Sequence, residues 1–220
     1  GIMILRQYQL GAVRSIQESI KAQNNRFLFE MATGTGKTLI AAAVIKLFLR
    51  SSNAKRVLFL VDRLELEDQG YGAFVKYLKN DYHTVIYKDS KSGWNNAEIV
   101  VSTVQSLTDK YQMLFSPTDF DLVISDEAHR SINGNARALL EYFAGYKLGL
   151  TATPRDYLKN LGDISSRDPR EMERREMLDT YKIFQCDSGI PTFKYSLIDG
   201  VKDGFLIEPF VIDARTDITT

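Results

Sequence analysis

Short apolar runs alternate with stretches whose apolar residues recur every three or four positions through the first 150 residues of the chain. Arg26–Met31, Arg56–Val61, Thr84–Tyr87, Glu98–Thr103, Asp121–Ser125 and Lys147–Thr151 are runs rich in Val, Ile, Leu and Phe, the pattern of strands covered on both faces. Lys37–Arg50, Leu64–Leu78, Val104–Phe115 and Asn135–Phe143 carry the helical spacing. A further helix, roughly Arg6–Ala22, precedes the first strand with Leu10, Val13, Ile16 and Ile20 on one side. Alternation of this kind predicts an α/β fold, a parallel sheet flanked by helices on both faces.

The pattern changes after Pro154. Residues 155–180 are crowded with charge, and Asp168-Pro169 makes a good N-cap and first turn for a helix running to about Phe184. Asp187 to Pro191 reads as a loop and Phe205–Ile212 as another strand. A new element that stops without a partner suggests a piece of a longer chain.

Composition narrows the class. The 220 residues suit one well-packed domain, and 44% hydrophobic with 25% charged residues is a globular mix. Basic and acidic side chains number 28 each, so any nucleic-acid surface has to be local. Cys186 is the only cysteine, which excludes an intrachain disulfide and a cysteine-based zinc site. The longest apolar stretch, Leu39 to Leu49, is interrupted by Lys46 and falls well short of the ~20 residues a membrane span needs. The first residues lack the basic-then-apolar order of a secretory signal. The expectation is a cytoplasmic protein with no membrane partner.

Candidate chemistry begins after the first strand, at Met31-Ala32-Thr33-Gly34-Thr35-Gly36-Lys37-Thr38. Strand, glycine-containing turn and helix N-terminus in that order form the setting of a phosphate loop. Gly34 and Gly36 let backbone N–H groups close on phosphate oxygens, and the helix dipole attracts the same anion. In this reading Thr33 to Thr38 bind the nucleotide, Lys37 reaches the β and γ phosphates, and Thr38 binds magnesium. The strict pattern has Gly where this chain has Met31. A second strand, Asp121 to Ser125, delivers Asp126-Glu127-Ala128-His129. Carboxylates at a strand's carboxyl end are where an open α/β sheet puts its chemistry. Asp126 is suited to hold magnesium through its water shell, and Glu127 to orient and deprotonate an attacking water. A third strand runs into Thr151-Ala152-Thr153-Pro154.

The order of the phosphate loop, Asp-Glu-Ala-His and Thr-Ala-Thr-Pro resembles the first RecA-like lobe of superfamily-two helicases and DNA translocases. Three minor motifs add to the resemblance. Arg6-Gln7-Tyr8-Gln9 is similar to the adenine-reading motif, with Gln9 on the base edge. Asp62 to Gln69 and Ser102 to Leu107 are similar to two nucleic-acid backbone motifs, with Arg63 and Thr103 as the implied contacts. The plain alternatives are a solvated helix-start arginine at Arg63 and a helix N-cap at Thr103. His129, Thr151 and Thr153 are implied to couple nucleotide state to nucleic-acid grip. His83 matches no motif and reads as structural, and Trp94 reads as local packing.

Ser-Ala-Thr and Pro-Thr-Arg-Glu-Leu, usual in RNA helicases of the Asp-Glu-Ala-Asp type, are both absent. Val61-Asp62-Arg63 with Leu66 and Gln69 is more similar to the motor subunits of type I restriction enzymes, and also to the type III subunit. Tyr195 to Pro209 resembles the bridge into such a subunit's second lobe. The resemblance implies an N-terminal helix with the adenine motif over 1–24, a RecA-like P-loop NTPase lobe over 25–155, a charged helical connector over 156–204, and the start of a second lobe over 205–220. It implies ATP and magnesium as ligands and double-stranded DNA as partner. A second RecA-like lobe and a nuclease domain would belong to the same parent chain, with specificity and methylation subunits in a type I system. No Gln-x-x-Gly-Arg-x-x-Arg segment is present, so the lobe alone is expected to hydrolyse ATP very slowly. The alternatives are a stand-alone superfamily-two helicase or repair translocase, a nucleotide-gated scaffold without turnover, and a metabolic P-loop kinase.

Overall fold

The computed structural model describes residues 3–130, 134–152, 180–187 and 189–207. Its elements are α1 (Gln7–Lys21), β1 (Arg26–Met31), α2 (Lys37–Arg50), β2 (Val57–Val61), α3 (Leu64–Leu78), β3 (Thr84–Ile86), β4 (Ile99–Thr103), α4 (Val104–Leu107), α5 (Tyr111–Leu114), β5 (Leu122–Asp126), α6 (Gly134–Tyr142), β6 (Tyr146–Thr151), β7 (Phe193–Tyr195) and α7 (Leu197–Lys202). The strands form one sheet in the order β3-β4-β2-β5-β6-β1-β7, with every neighbouring pair parallel. A parallel sheet must be covered on both faces, and its strands are apolar throughout for that reason.

Successive side chains divide between two cores. Phe27, Phe29 and Met31 of β1, Phe59 and Val61 of β2, Ile124 of β5 and Leu150 of β6 face α1, α2 and α3. Leu28, Leu58, Leu60, Val100 and Val123 face the other way, against Leu107, Phe115, Phe143 and Phe184. Register aligns the first set across the sheet, with Phe29 beside Leu150 and Phe59 beside Ile124. Phe27, Phe29, Phe48, Phe59 and Phe74 are wholly buried, each stabilising the fold by roughly 1.5–3 kcal/mol. Ala41, Ala42 and Ala43 are buried in α2, and their small side chains seat this helix close against the sheet. The helix that opens the expected phosphate site is thus among the best-anchored elements. Among the described residues no helix is long and apolar enough to cross a membrane.

The structure departs from the periodicity in three places. The single helix expected over Val104–Phe115 is two short ones, α4 and α5. Thr108 bonds back through its hydroxyl to the Val104 carbonyl, and Lys110 adopts φ −134°, so the poor helix formers Thr108 and Asp109 become a turn. The second departure is β7, a strand within the segment where a helical connector is expected. It pairs with β1, its Phe193 ring meets Phe29 edge-on at 5.8 Å, and the Thr192 hydroxyl accepts the Leu28 N–H. The third concerns the strand expected over Phe205–Ile212. Its first residues instead close a turn, with the N–H groups of Phe205 and Leu206 both donating to the Gly200 carbonyl. Residues 208–212 lie outside the described residues, as does the charged helix from Asp168 apart from helical residues 180–183. Trp94 packs on Phe115 and Phe120 beneath the Arg56 guanidinium, and His83 is exposed.

Arg26 grips Glu141 of α6 with two bonds of 2.7 and 2.6 Å and the Ile183 carbonyl with a third. The Arg26 bond holds the Glu141 carboxyl below its ordinary 4.5, against burial, which acts the other way. A depressed carboxyl pKa gives stability that is present above the unfolded value and lost as pH falls through the native one. Glu141→Gln should therefore melt about 1–4 °C lower at pH 7, the equivalent of a screened pair worth about 0.5–1 kcal/mol. The difference should fade as the pH is taken below 4.5; thermal denaturation followed by circular dichroism across that range checks it.

Candidate functional site

Residues 32–36 join β1 to α2 through two left-handed glycines, Gly34 at φ +84° and Gly36 at φ +80°. At Gly36 a Cβ would also stand 2.8 Å from Gln9 Nε2, so both backbone conformation and space require glycine there. The loop is fastened from outside. Its Thr35 carbonyl accepts the Tyr8 hydroxyl at 2.7 Å and Gln9 Nε2 at 3.3 Å. Its Ala32 N–H donates to the Tyr195 carbonyl of β7. Thr35 is buried, with its hydroxyl on the Ala32 carbonyl at 2.6 Å, so its side chain shapes the loop from within. Thr33 and Gly34 are exposed, and Lys37 and Thr38 begin α2, where free N–H groups and the helix dipole favour an anion.

Strand order brings the other expected residues to this loop. β1, β6 and β5 are consecutive in the sheet, so Met31, Thr151 and Asp126 end side by side. Lys37 Nζ lies 2.8 Å from Glu127 Oε1. Glu127 adopts φ +52°, a left-handed conformation that costs a non-glycine residue about 1–3 kcal/mol and recurs at functional turns. Its N–H donates to Asp126 Oδ1 at 3.1 Å. The far Glu127 oxygen is 3.5 Å from His129 Nδ1, and that nitrogen is 2.9 Å from the buried Thr151 hydroxyl. A continuous polar chain therefore runs Lys37, Glu127, His129, Thr151. Thr153 lies outside the described residues.

Burial pushes the Asp126 carboxyl up, and the Glu127 charge adds to this; Lys37 and the Glu127 N–H oppose it. A carboxylate held at such a cost is suited to a cation. With the Thr38 hydroxyl it offers the hard oxygen donors that magnesium takes beside water and phosphate. Among the described residues no group of three or more His, Cys, Asp or Glu side chains is gathered for a metal.

On the α1 side of the loop, Gln9 is buried, its Oε1 accepting the Arg6 N–H at 2.9 Å. The Arg6 guanidinium stands 4.4 Å from the centre of the Phe205 ring. Tyr8 stacks on Tyr195 at 3.9 Å, and Tyr195 donates to Asp203 at 2.7 Å. Leu206 reaches the space over Gly34, 3.4 Å from where a Cβ would stand. Tyr8, Tyr195, Phe205 and Leu206 thus wall the site; the motifs contain them, but sequence reading gave none of them a role there. The aromatic spacing Tyr195 to Phe205 was the available signal, and it has meaning only once β7 is paired with β1.

The two expected nucleic-acid residues sit across the β2 and β4 ends, where Val61 and Thr103 are register partners. Arg63 is the N-cap of α3 with its side chain 65% exposed. Asp62 lies 4.0 Å away and is itself bonded by Arg130 at 3.1 Å. Thr103 is buried and caps α4, accepting the Ser106 N–H at 3.2 Å and pairing with the Ser106 hydroxyl. The cap reading is present, and it leaves the Thr103 contact as a proposal.

Residues 2–156 match the family model described as type III restriction enzyme, res subunit. The chain is 34% identical over 226 residues to the type I restriction enzyme EcoAI endonuclease subunit of Escherichia coli, covering 97% of this chain and 24% of that one. It is 32% identical over 231 residues to the EcoKI endonuclease subunit of Escherichia coli strain K12, covering 93% and 18%. The chain thus spans a quarter or less of these relatives' length. A fragment structure of an HsdR subunit of a type I restriction enzyme from Vibrio vulnificus YJ016 superposes with a TM-score of 0.61 and 28% identity, over 90% of this chain and 32% of that one.

The Lys37–Glu127 pair must open for Lys37 to meet a phosphate. Glu127→Gln should therefore tighten nucleoside triphosphate binding by about three- to tenfold, the worth of a half-buried ion pair of about 1 kcal/mol. Isothermal titration calorimetry with magnesium present checks it, and unchanged or weaker binding would count against the competition.

Proposed function

The chain belongs to the family described as type III restriction enzyme, res subunit, and from that premise we propose that it is the ATP-binding motor lobe of a DNA translocase, the endonuclease subunit of a type I restriction enzyme. The observation that carries the reading is the meeting of the phosphate loop, Asp126-Glu127 and the His129–Thr151 pair on three neighbouring strand ends. A metabolic kinase needs the first two of these but has no use for a hydrogen-bonded relay into a third strand. The type I relatives, similar over nearly the whole chain, favour that assignment within the family.

In this reading Gly34, Gly36 and the first N–H groups of α2 cradle the phosphates, and Lys37 moves from Glu127 to the γ phosphate. Glu127, released, orients and deprotonates the attacking water. Magnesium, held by Thr38 and through water by Asp126, supplies neutralisation of the developing phosphate charge. Arg6 and Gln9 meet the adenine. Arg63 reaches the backbone of double-stranded DNA, which a net-neutral chain can do only through such local charge. The second RecA-like lobe and the nuclease would lie elsewhere in the parent chain, with specificity and methylation subunits as partners in a cytoplasmic complex. An arginine finger from a second lobe is worth about three to five orders of magnitude in turnover, so the 220-residue chain binds ATP and hydrolyses it slowly.

Lys37→Ala should weaken ATP binding at least about tenfold by calorimetry, as loss of a charge-assisted phosphate bond requires. Equal affinity in wild type and variant would sink the nucleotide site. Arg63→Ala should weaken duplex DNA binding and lower the slope of log affinity against log salt by about one, as loss of one phosphate contact requires. Robust DNA-stimulated turnover by the wild-type chain alone would contradict the proposed need for a second lobe.

A further inference from the structure

We propose that Glu67 is a positioning residue that locks the carboxyl ends of β2 and β4 into a single DNA-facing surface; this rests on the reading of Arg63 as a DNA contact. Glu67 lies four residues beyond Arg63 on α3 and is fully buried. Its backbone N–H donates to the Arg63 carbonyl at 3.3 Å. Its Oε1 accepts the backbone N–H of Thr103 at 3.1 Å. The first bond is the ordinary helical one that any residue there makes, so the Glu67 side chain alone ties the start of α3 to the end of β4. Its second oxygen lies 2.6 Å from Lys88 Nζ, in the turn after β3, without an aligned hydrogen bond. The reach of Glu67 therefore extends over three adjacent strand ends, β2, β4 and β3.

A buried carboxylate is an expensive filler. Methionine or leucine would occupy the same space between α3 and the sheet without the cost of removing a charge from water. What neither could do is accept the Thr103 N–H, which at a strand end has no neighbouring carbonyl to take it. The Thr103 hydroxyl caps α4, so a fixed Thr103 peptide also fixes the start of α4. Phosphates along a DNA strand are evenly spaced, and a protein that touches several must hold its donors at matching separations. Glu67 sets one such separation, between the turn carrying Arg63 and the Thr103 end of β4. The nearby Glu67 carboxylate raises the Lys88 pKa, and the ammonium balances the buried carboxylate as an ion pair without entering the β2–β4 link.

The test compares duplex DNA affinity, by fluorescence anisotropy with a labelled duplex, and ATP affinity, by calorimetry, across variants of the 220-residue chain. Glu67→Met keeps the volume and deletes the acceptor; about tenfold weaker duplex binding with ATP affinity unchanged is expected. Glu67→Gln keeps an oxygen for Thr103 and should restore most of that loss. Duplex and ATP affinities falling together would mean general destabilisation and overturn the proposal, as would wild-type duplex affinity in Glu67→Met. If Glu67→Met does not fold, Lys88→Ala carries the test. It should weaken duplex binding severalfold with the salt slope unchanged, since the effect passes through Glu67. A slope lower by about one would make Lys88 itself the phosphate contact and overturn the proposal; so would unchanged affinity. Arg63→Ala separates the two levels: if it binds duplex as wild type does, the contact reading falls and takes this proposal with it.

Discussion

Seven strands running the same way put every carboxyl end on one edge of the sheet, and each functional distance in the molecule descends from that constraint. The edge reads across as β3, β4, β2, β5, β6, β1 and β7. Thr103 and Arg63 stand at its left, Asp126 and Glu127 in its middle, Thr151 and the phosphate loop at its right. Register sets the rest. Asp126 is the partner of Leu150, and Glu30, which precedes Met31 and the loop, is the partner of Thr151. A slip of one residue between β5 and β6 would turn their side chains to the opposite faces. Leu148 and Leu150 on one face and Gly149 on the other make such a slip costly. A Cβ on Gly149 would stand 2.7 Å from the Phe184 ring, so one glycine lets the C-terminal segment lie flat on β6.

That segment explains why the phosphate loop can be rigid before any phosphate arrives. A turn rich in glycine and threonine has little packing of its own. Here the loop is bonded from one side by Tyr8 and Gln9 of α1 and from the other by β7. The buried Glu30 carboxylate, just ahead of the loop, accepts the Tyr181 hydroxyl and pairs with Lys194 at 3.2 Å. Three parts of the chain, from its beginning, its first strand and its last described residues, thus meet in one small volume. Ordering costs that a flexible loop would meet on binding are met in the fold instead, which is preorganisation in its usual physical sense.

Much of this was legible in the residues. The helices α2 and α3 lie where periodicity puts them, and six strands fall within a residue of the apolar runs, because buried parallel strands announce themselves by unbroken Val, Ile, Leu and Phe. The nucleotide motifs were legible for a different reason: glycine, lysine and paired carboxylates have few other uses at strand ends. What escaped was whatever depended on distance along the chain. β7 is three residues long, too short for any period, and acquires its meaning from Thr192, Phe193 and Tyr195 meeting β1 and α1. The break at Thr108 is a competition between a hydroxyl and a helical bond that spacing cannot score. Thr103 was legible as a cap or a contact or both, and the Ser106 geometry shows the cap. Glu67 carried no signal, since an acidic residue on an amphipathic helix reads as solvated until the helix is docked.

The chain's zero net charge conceals how the site manages its own. At rest Lys37 is paired with Glu127, while burial and the Glu127 charge work against ionisation of Asp126. On the proposed reading, a triphosphate would draw Lys37 from Glu127, and Thr38 and Asp126 would hold a magnesium ion that offsets the cost of the Asp126 charge. Glu127 then loses its main partner while His129 remains within reach of it and of Thr151. The rearrangement frees the carboxylate that must handle water and disturbs the bond that reaches β6. On the proposed reading, an ion-pair exchange at the start of α2 would reach the end of β6 through His129 and Thr151. That is the property a motor needs if nucleotide state is to change its hold on DNA.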